Sequence, residues 1–194
     1  MGAASSGESR TTLLVFKEGL RRLETIAVDP RSSSEIVLAH IVLAEKYDTV
    51  PQIVPVVGTV EEGLARADAA LCSGNIAREM ETAPHTLDLV EEWNDIADLP
   101  FVHGLWITRR DQISPAEAQS IIESGVHGMA MDGFSQRDIE YLKRFQYDID
   151  EEAIAGLTEF LRMAYYHGIL QDIPDLTFQP LGKEEDASLD ETPN

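Results

Sequence analysis

Residues 23–47, LETIAVDPRSSSEIVLAHIVLAEKY, decide the fold class of this chain. The first six residues partly alternate in polarity and predict a strand, which Asp29 and Pro30 then end. Ser32 and Glu35 fit the capping-box pattern S-x-x-E, and the apolar spacing that follows predicts a helix to about Tyr47. A strand that passes through a polar turn into a helix indicates an α/β protein.

The flanking sequence continues the alternation of strands and helices. Short apolar runs predict further strands at 12–16, 53–57, 68–72 and 101–108. Capping residues predict further helices at 59–67, 114–125, 135–145 and 150–167. We therefore expect a mainly parallel sheet in one domain over residues 1–182, followed by a disordered acidic tail at 183–194.

The expected sheet also locates a binding site. Ligands of such sheets bind at the carboxyl ends of the strands. The turn at Ser32, Ser33 and Ser34 follows one predicted strand, and Ser73, Gly74 and Asn75 follow another. We expect the site at these turns and at the strand that contains His103.

The chain is strongly acidic, with 35 Asp and Glu against 15 Lys and Arg and a formal net charge of -20. Nucleic acid is excluded as an expected partner, because phosphate binding needs a basic face. Only four of the basic residues are lysines. Excess acid with scarce lysine keeps a protein hydrated where salt screens charge within about 3 Å at 1 M, so we interpret the protein as halophilic. The alternative is an acidic mesophilic protein that functions at ordinary salt concentrations.

Several function classes lack their sequence patterns. Cys72 is the single cysteine, and the five histidines show no metal-ligand spacing, so no disulfide framework, metal or cofactor is expected. Glycine-rich nucleotide motifs and G-x-S-x-G are absent. No apolar run of ~18 residues and no signal peptide is visible, so we expect a cytoplasmic protein without a membrane partner.

The polar turns have two interpretations each. Ser32 is either a helix N-cap or, with Ser33 and Ser34, part of a seat for a carboxylate or phosphate, because a helix N-terminus attracts anions. Asn75 belongs either to an ordinary turn or to a cleft in which its amide meets a polar substrate.

The remaining candidates are aromatic, acidic or histidine side chains. His103, beside Gly104, is either a packed strand residue or a general acid or base. His40 and His167 are expected in structural roles. Trp93 and Trp106 are expected in the core. Solvated helix faces are expected for the acidic pairs 61–62, 91–92 and 151–152.

Residues 87–106, LDLVEEWNDIADLPFVHGLW, carry a family resemblance. They resemble the D-L-G-x-x-W segment, the L-P-F-V block and the aromatic-ending strand of the menaquinone-biosynthesis family that contains chorismate dehydratase. The closing segment 173–178, IPDLTF, agrees in order, and the similarity spans about residues 7–178.

The resemblance implies a type II periplasmic-binding-protein-like fold with two α/β lobes. Relative to the family this chain looks N-terminally truncated, without the part of the first lobe that holds a cleft Asn. The implied activity is a carbon–oxygen lyase that dehydrates chorismate to 3-[(1-carboxyvinyl)oxy]benzoate in the futalosine route to menaquinone. The alternatives are a non-catalytic small-carboxylate binding module and a 1,4-dihydroxy-6-naphthoate synthase-like enzyme. The sequence leaves open whether the protein forms a homodimer.

The resemblance also suggests site roles. Thr11 falls on a substrate-binding Ser of the family, Ser32 to Ser34 fall on its S-R-T-S helix start without the Arg, and Asn75 replaces the acid of an I-G-D turn. Thr11 and the three serines would then hold a substrate carboxylate, and Asn75 would orient the ring or hydroxyl. His103 is the proton-transfer candidate, and the carboxylate of the substrate is an alternative base.

Overall fold

The computed structural model describes residues 1–109, 112–128 and 133–178, and places strands and helices in alternation over most of that length. The strands are β1 (Gly2–Ser5), β2 (Thr12–Phe16), β3 (Thr25–Val28), β4 (Gln52–Pro55), β5 (Ala69–Ser73), β6 (Thr86–Asp88) and β7 (Phe101–Leu105). The helices are α1 (Ser33–Tyr47), α2 (Val60–Arg66), α3 (Gly74–Glu79), α4 (Leu89–Ala97), α5 (Pro115–Gly128), α6 (Gln136–Leu142) and α7 (Glu151–Tyr166).

The main sheet has the strand order β4-β3-β5-β2-β6. Strand β3 is parallel to both β4 and β5, whereas β2 is antiparallel to both β5 and β6. Four strands therefore share one direction and β2 alone opposes them. The α/β class is confirmed, and the sheet is mixed.

A second, two-stranded sheet pairs β1 with β7 in antiparallel fashion, with a register shift between Ala3 and Ala4. Neither β1 nor β6 was predicted from the sequence. Strand β1 consists of small residues with weak strand preference, and β6 has only three residues. Pairing with distant partners, rather than local propensity, makes both of them strands.

The core lies between the main sheet and helices α1, α4 and α7. Trp93 of α4 is fully buried and makes edge-to-face contacts with Phe101 and Phe160. These aromatic contacts join α4, β7 and α7 around one point, and such pairs add stability beyond their burial. The core position predicted for Trp93 is confirmed.

Two sequence predictions about side-chain burial are wrong. Trp106 is 72% exposed, because β7 ends at Leu105 rather than at residue 108 and the chain leaves the sheet there. Glu92 is buried rather than solvated, since its Oε2 accepts hydrogen bonds from the Tyr47 hydroxyl at 2.6 Å and is 2.7 Å from Lys46 Nζ. A buried carboxylate with these partners is satisfied.

Helix boundaries follow the predicted caps more closely than the predicted ends. Capping boxes form as predicted at Thr59 with Glu62 and at Ser114 with Glu117. Helix α5 passes Gly125 to end at Gly128, and α6 ends at Leu142 rather than at 145. The predicted tail at 183–194 lies outside the described residues. No helix in the described ranges is both long and apolar enough to cross a bilayer.

Candidate functional site

The carboxyl ends of β3 and β5 meet at one edge of the main sheet, because these parallel strands are neighbours. Ser32 follows β3 and Ser73 ends β5, and their hydroxyl oxygens are 3.3 Å apart. Two turns that the sequence placed at the site are therefore adjacent in space. Helices α1 and α3 begin at this point.

Thr11 lies at the same edge, directly before the antiparallel strand β2. Its carbonyl accepts a 3.0 Å hydrogen bond from the Gly74 N–H. Its hydroxyl lies 2.8 Å from the Ser9 hydroxyl, and both side chains are buried. Thr11 thus supports the turn that begins α3, and its hydroxyl is already engaged by Ser9.

The start of α1 differs from its sequence pattern. The capping box predicted at Ser32 and Glu35 does not form, since Ser32 makes no side-chain cap and the Ser34 hydroxyl donates to Glu35 Oε2 at 3.0 Å. Ser33 and Ser34 are exposed in the first turn. The first-turn N–H groups are therefore not capped by Ser32 and can meet an anion, although Glu35 places one carboxylate in the same turn.

Gly74 allows the tight passage from β5 into α3. Its φ of +57° lies in the left-handed region that favours glycine, and no atom lies within 4 Å of where a Cβ would stand. Residues 73–75 therefore start a helix and not a simple turn. Asn75 is exposed in the first turn of α3, beside the Ser32–Ser73 contact.

Arg31 is a site neighbour that the sequence reasoning missed. It directly precedes Ser32, and its guanidinium pairs with Asp29 at the end of β3, with 2.9 Å between Nε and Oδ1. The hydrogen bond from Arg31 lowers the pKa of Asp29 to about 2. A guanidinium at a helix start suits carboxylate recognition. Arg31 directly precedes the three serines in the sequence, so this neighbour of the site could have been predicted from the sequence.

Asp88 holds the loop before β2 in place. Its Oδ2 accepts from the Arg10 N–H at 2.5 Å, while its Oδ1 accepts from the Val90 N–H at 3.0 Å as the N-cap of α4. Burial raises the pKa of this carboxyl against the effect of these bonds. Arg10 has a φ of 54°, an unusual conformation for a residue other than glycine. The Asp88 contact stabilises this loop.

Arginines also cluster behind the Thr11 loop. Arg144 donates to the Ser9 carbonyl at 3.2 Å and pairs with Glu81 at 2.5 Å, which lowers the pKa of Glu81. Three further arginines stand around Glu81 and Asp138: Arg10, Arg78 and Arg137. Glu8, Glu81 and Asp138 pair with these arginines, so the cluster holds the loop before Thr11 in place and adds little net charge.

His103 lies in a different sheet from the strands that carry the Ser32 and Ser73 turns. It belongs to β7 in the small sheet, its Nε2 is 2.7 Å from the Ser5 hydroxyl, and its ring contacts Phe101 and Phe145 edge-on. Burial lowers its pKa to about 4. Among the described residues, no hydrogen bond or ring contact connects His103 to Ser32 or Ser73. The structure gathers the hydroxyl candidates but not the histidine.

The fold and this edge together define an α/β protein that presents hydroxyl and amide groups at the carboxyl ends of parallel strands, the usual ligand site of such sheets. The family model for menaquinone biosynthesis matches residues 1–166. The chain belongs to the menaquinone biosynthesis family, and it has a role in that pathway. A search of curated proteins finds no match. Within the described ranges, no cluster of three His, Cys, Asp or Glu side chains could hold a metal ion.

Proposed function

We propose that this chain dehydrates chorismate to 3-[(1-carboxyvinyl)oxy]benzoate, as a carbon–oxygen lyase of the futalosine route. In this reaction chorismate loses a ring proton and its hydroxyl as water, and the ring becomes aromatic. The observation that carries the proposal is the 3.3 Å contact of Ser32 and Ser73 beside the uncapped start of α1, in a member of the menaquinone biosynthesis family. Such a site suits a substrate with two carboxylates.

The proposal includes a two-lobe fold of the type II periplasmic-binding-protein kind. The main sheet with its helices would be one lobe. Strands β1 and β7 support this, because they lie side by side before and after the main sheet in the chain and form a separate sheet. A chain that enters and leaves a body through paired strands can connect it to a second lobe. The cleft would then lie beside the ends of β3 and β5.

In this proposal each candidate residue contacts a different part of the substrate or supports a residue that does. Ser32, Ser33 and Ser34 with the start of α1 would bind one carboxylate. Arg31 would bind the other once its guanidinium leaves Asp29, which holds it in this structure. Asn75 orients the ring or the leaving hydroxyl. Thr11 positions the start of α3 through its carbonyl.

Proton transfer is assigned to the substrate rather than to the protein. With a pKa of about 4, His103 is neutral at pH 7, and the Ser5 hydroxyl holds its Nε2. It would accept a proton only weakly, and none of its hydrogen bonds or ring contacts in the described residues reaches Ser32 or Ser73. The carboxylate of chorismate is therefore the base that we favour, with His103 as the alternative.

A binding module without catalysis is the second candidate. The observation that favours it is the separation of His103 from the serines. In the described residues, His103 bonds the Ser5 hydroxyl and makes no contact with the Ser32–Ser73 pair. Such a module would bind a small carboxylate through the same serines.

The test combines absorbance and calorimetry on the purified chain and on the complete open reading frame that contains it. Chorismate should give ultraviolet absorbance of the aromatic product, and Ser32→Ala should lower kcat/KM by about tenfold or more, the effect of losing one charged hydrogen bond. Thr158→Ala is the matched control, because it removes an exposed hydroxyl on α7. Saturable heat without product would favour the binding module, and neither heat nor product would contradict both candidates.

A further inference from the structure

A small hollow lies beside the proposed substrate site, where three parallel strands of the main sheet end. Strand β3 has β4 on one side and β5 on the other, and helices α2 and α3 follow β4 and β5. The hollow has a volume of about 40 Å³, and its lining residues belong to these strands, these helices and the turns between them. All of them lie within residues 27–76, so the main sheet and its helices form the hollow alone.

The inner wall of the hollow is apolar and consists of small side chains. Ala27 of β3 and Ala70 of β5 are register neighbours, are 3% and 4% exposed, and both line it. Gly63 of α2 lies over them, since a Cβ there would stand 3.2 Å from the Cβ of each alanine. Cys72 adds a neutral thiol, because burial raises its pKa to about 12. This wall suits an uncharged group, because a charge placed against it would lose its hydration without gaining a partner.

The rim of the hollow is exposed, and its polar groups are already bonded. Thr59 begins α2, and the N–H groups of Thr59 and Glu62 are bonded within the capping box. Asp29 at the end of β3 accepts from Arg31. Ile76 of α3 is 45% exposed and contributes an apolar side chain. The carboxylates of Asp29 and Glu62 repel an anion at this opening, so the hollow favours a neutral group over a carboxylate.

Size and position select one part of the proposed substrate. A cavity of about 150 Å³ accommodates benzene, so this hollow of about 40 Å³ has room for roughly one or two carbon atoms and not for a ring. The hollow adjoins Asp29, which holds Arg31, the residue proposed to bind the second carboxylate. In the carboxyvinyl group of chorismate the terminal methylene and a carboxylate are bonded to the same carbon. A methylene in the hollow would therefore bring its carboxylate toward Arg31.

We propose that this hollow binds the terminal methylene of the carboxyvinyl group and thereby selects the substrate over other dicarboxylates. The inference rests on the proposed function, which names the substrate, and adds a determinant of its selectivity. Ala70 and Ile76 are the specificity residues. Ala70 leaves the hollow open at its inner wall, and Ile76 covers the methylene at the rim.

The first experiment compares two ligands that differ by this methylene. Calorimetry on the complete open reading frame that contains this chain measures the affinity of 3-[(1-carboxyvinyl)oxy]benzoate, the proposed product. The second ligand is 3-(carboxymethoxy)benzoate, which has the same ring and both carboxylates. The carboxyvinyl compound should bind about 4- to 10-fold more tightly, the effect of one buried methylene. If neither compound binds, the proposed function fails and this inference fails with it. Equal affinities would overturn the inference alone.

The second experiment closes the hollow from its inner wall. Ala70→Val should reduce the preference for the carboxyvinyl compound to less than about twofold, since the larger side chain fills the space that the methylene needs. Ala67→Val is the matched control, because Ala67 is 2% exposed in the same cluster of buried side chains but does not line the hollow. It should leave the preference unchanged. Circular dichroism shows whether each variant is folded.

The rim offers a variant that leaves the buried core intact. Ile76→Ser exposes the bound methylene to water and should lower the preference at least about twofold. Val57→Ser is its control, since Val57 is a 71% exposed aliphatic residue that does not line the hollow. A preference that persists in folded Ala70→Val, or in Ile76→Ser if Ala70→Val does not fold, would overturn the proposal.

Discussion

At the scale of single residues, His103 shows how burial sets a protonation state. Its ring lies between Phe101 and Phe145, its Nε2 has Ser5 as a partner, and burial lowers its pKa to about 4. An ordinary histidine has a pKa of about 6.5 and keeps that value in the unfolded chain. Between these two values the unfolded state binds a proton that the folded state does not.

This difference predicts that the free energy of unfolding decreases as the pH is lowered below about 6.5. Because the folded-state pKa of His103 is depressed, its contribution is present above pH 6.5 and is lost as the pH falls toward 4, by about 3 kcal/mol in total. Denaturant unfolding between pH 7.5 and 4.5 measures this loss, and His103→Gln should make it smaller. His85→Asn is the control, since His85 is exposed with a φ of 59° that Asn tolerates. An unchanged slope in His103→Gln would contradict the prediction.

At the scale of elements, helix α7 depends on a close approach to the chain before β7. A Cβ at Gly156 would stand 2.1 Å from the carbonyl oxygen of Pro100, which is backbone and cannot simply turn aside. This approach brings Phe160 of the same helix to Phe101 and Trp93. A helical glycine, unfavourable by propensity, is thus required by packing.

The Gly156→Ala variant should therefore be less stable than wild type. Helix propensity alone favours alanine by about 1 kcal/mol, whereas overpacking costs typically about 1–3 kcal/mol. A Cβ only 2.1 Å from a backbone oxygen belongs to the upper part of that range, about 2–3 kcal/mol, so we expect a net loss of about 1–2 kcal/mol. The measurement is the free energy of unfolding in denaturant. Thr158→Ala on the exposed face of α7 should change it by less than about 0.5 kcal/mol. A Gly156→Ala protein that is as stable as wild type would show that the contact relaxes freely.

At the scale of the whole molecule, carboxylates dominate the surface. The chain has 35 acidic and 15 basic residues, and several arginines are already paired with acids, among them Arg78 with Asp138 and Arg144 with Glu81. The unpaired excess raises the energy of the compact state by self-repulsion. The halophilic character inferred from composition stays a prediction.

The prediction is that salt stabilises the protein. From about 0.1 to 2 M NaCl the screening length shrinks to a few ångström, and Tm should rise by roughly 5–10 °C, equivalent to about 2–3 kcal/mol for a chain of this size. Thermal melts followed by circular dichroism measure it. Sucrose at equal osmolality controls for general exclusion effects, since it carries no charge. If NaCl raises Tm no more than sucrose does, the protein is an acidic mesophilic protein and not a halophilic one.

The sequence by itself determined the features that depend on neighbouring residues. Strand 12–16, helix α1, the caps at Thr59, Ser114, Ser135 and Asp150, and the α/β class all follow from periodicity and capping chemistry. The position of Ser32 and Ser73 at one sheet edge also followed, because chain direction alone brings the ends of neighbouring parallel strands together.

Only the tertiary structure decided the features that depend on distant partners. The direction of β2, the existence of β1 and β6, the burial of Glu92 against Tyr47 and the exposure of Trp106 come from contacts between residues far apart in sequence. His103 and the serines were expected in one site, yet they lie in different sheets. Local patterns fix which face of an element is apolar, but the packing of whole elements fixes which polar groups meet.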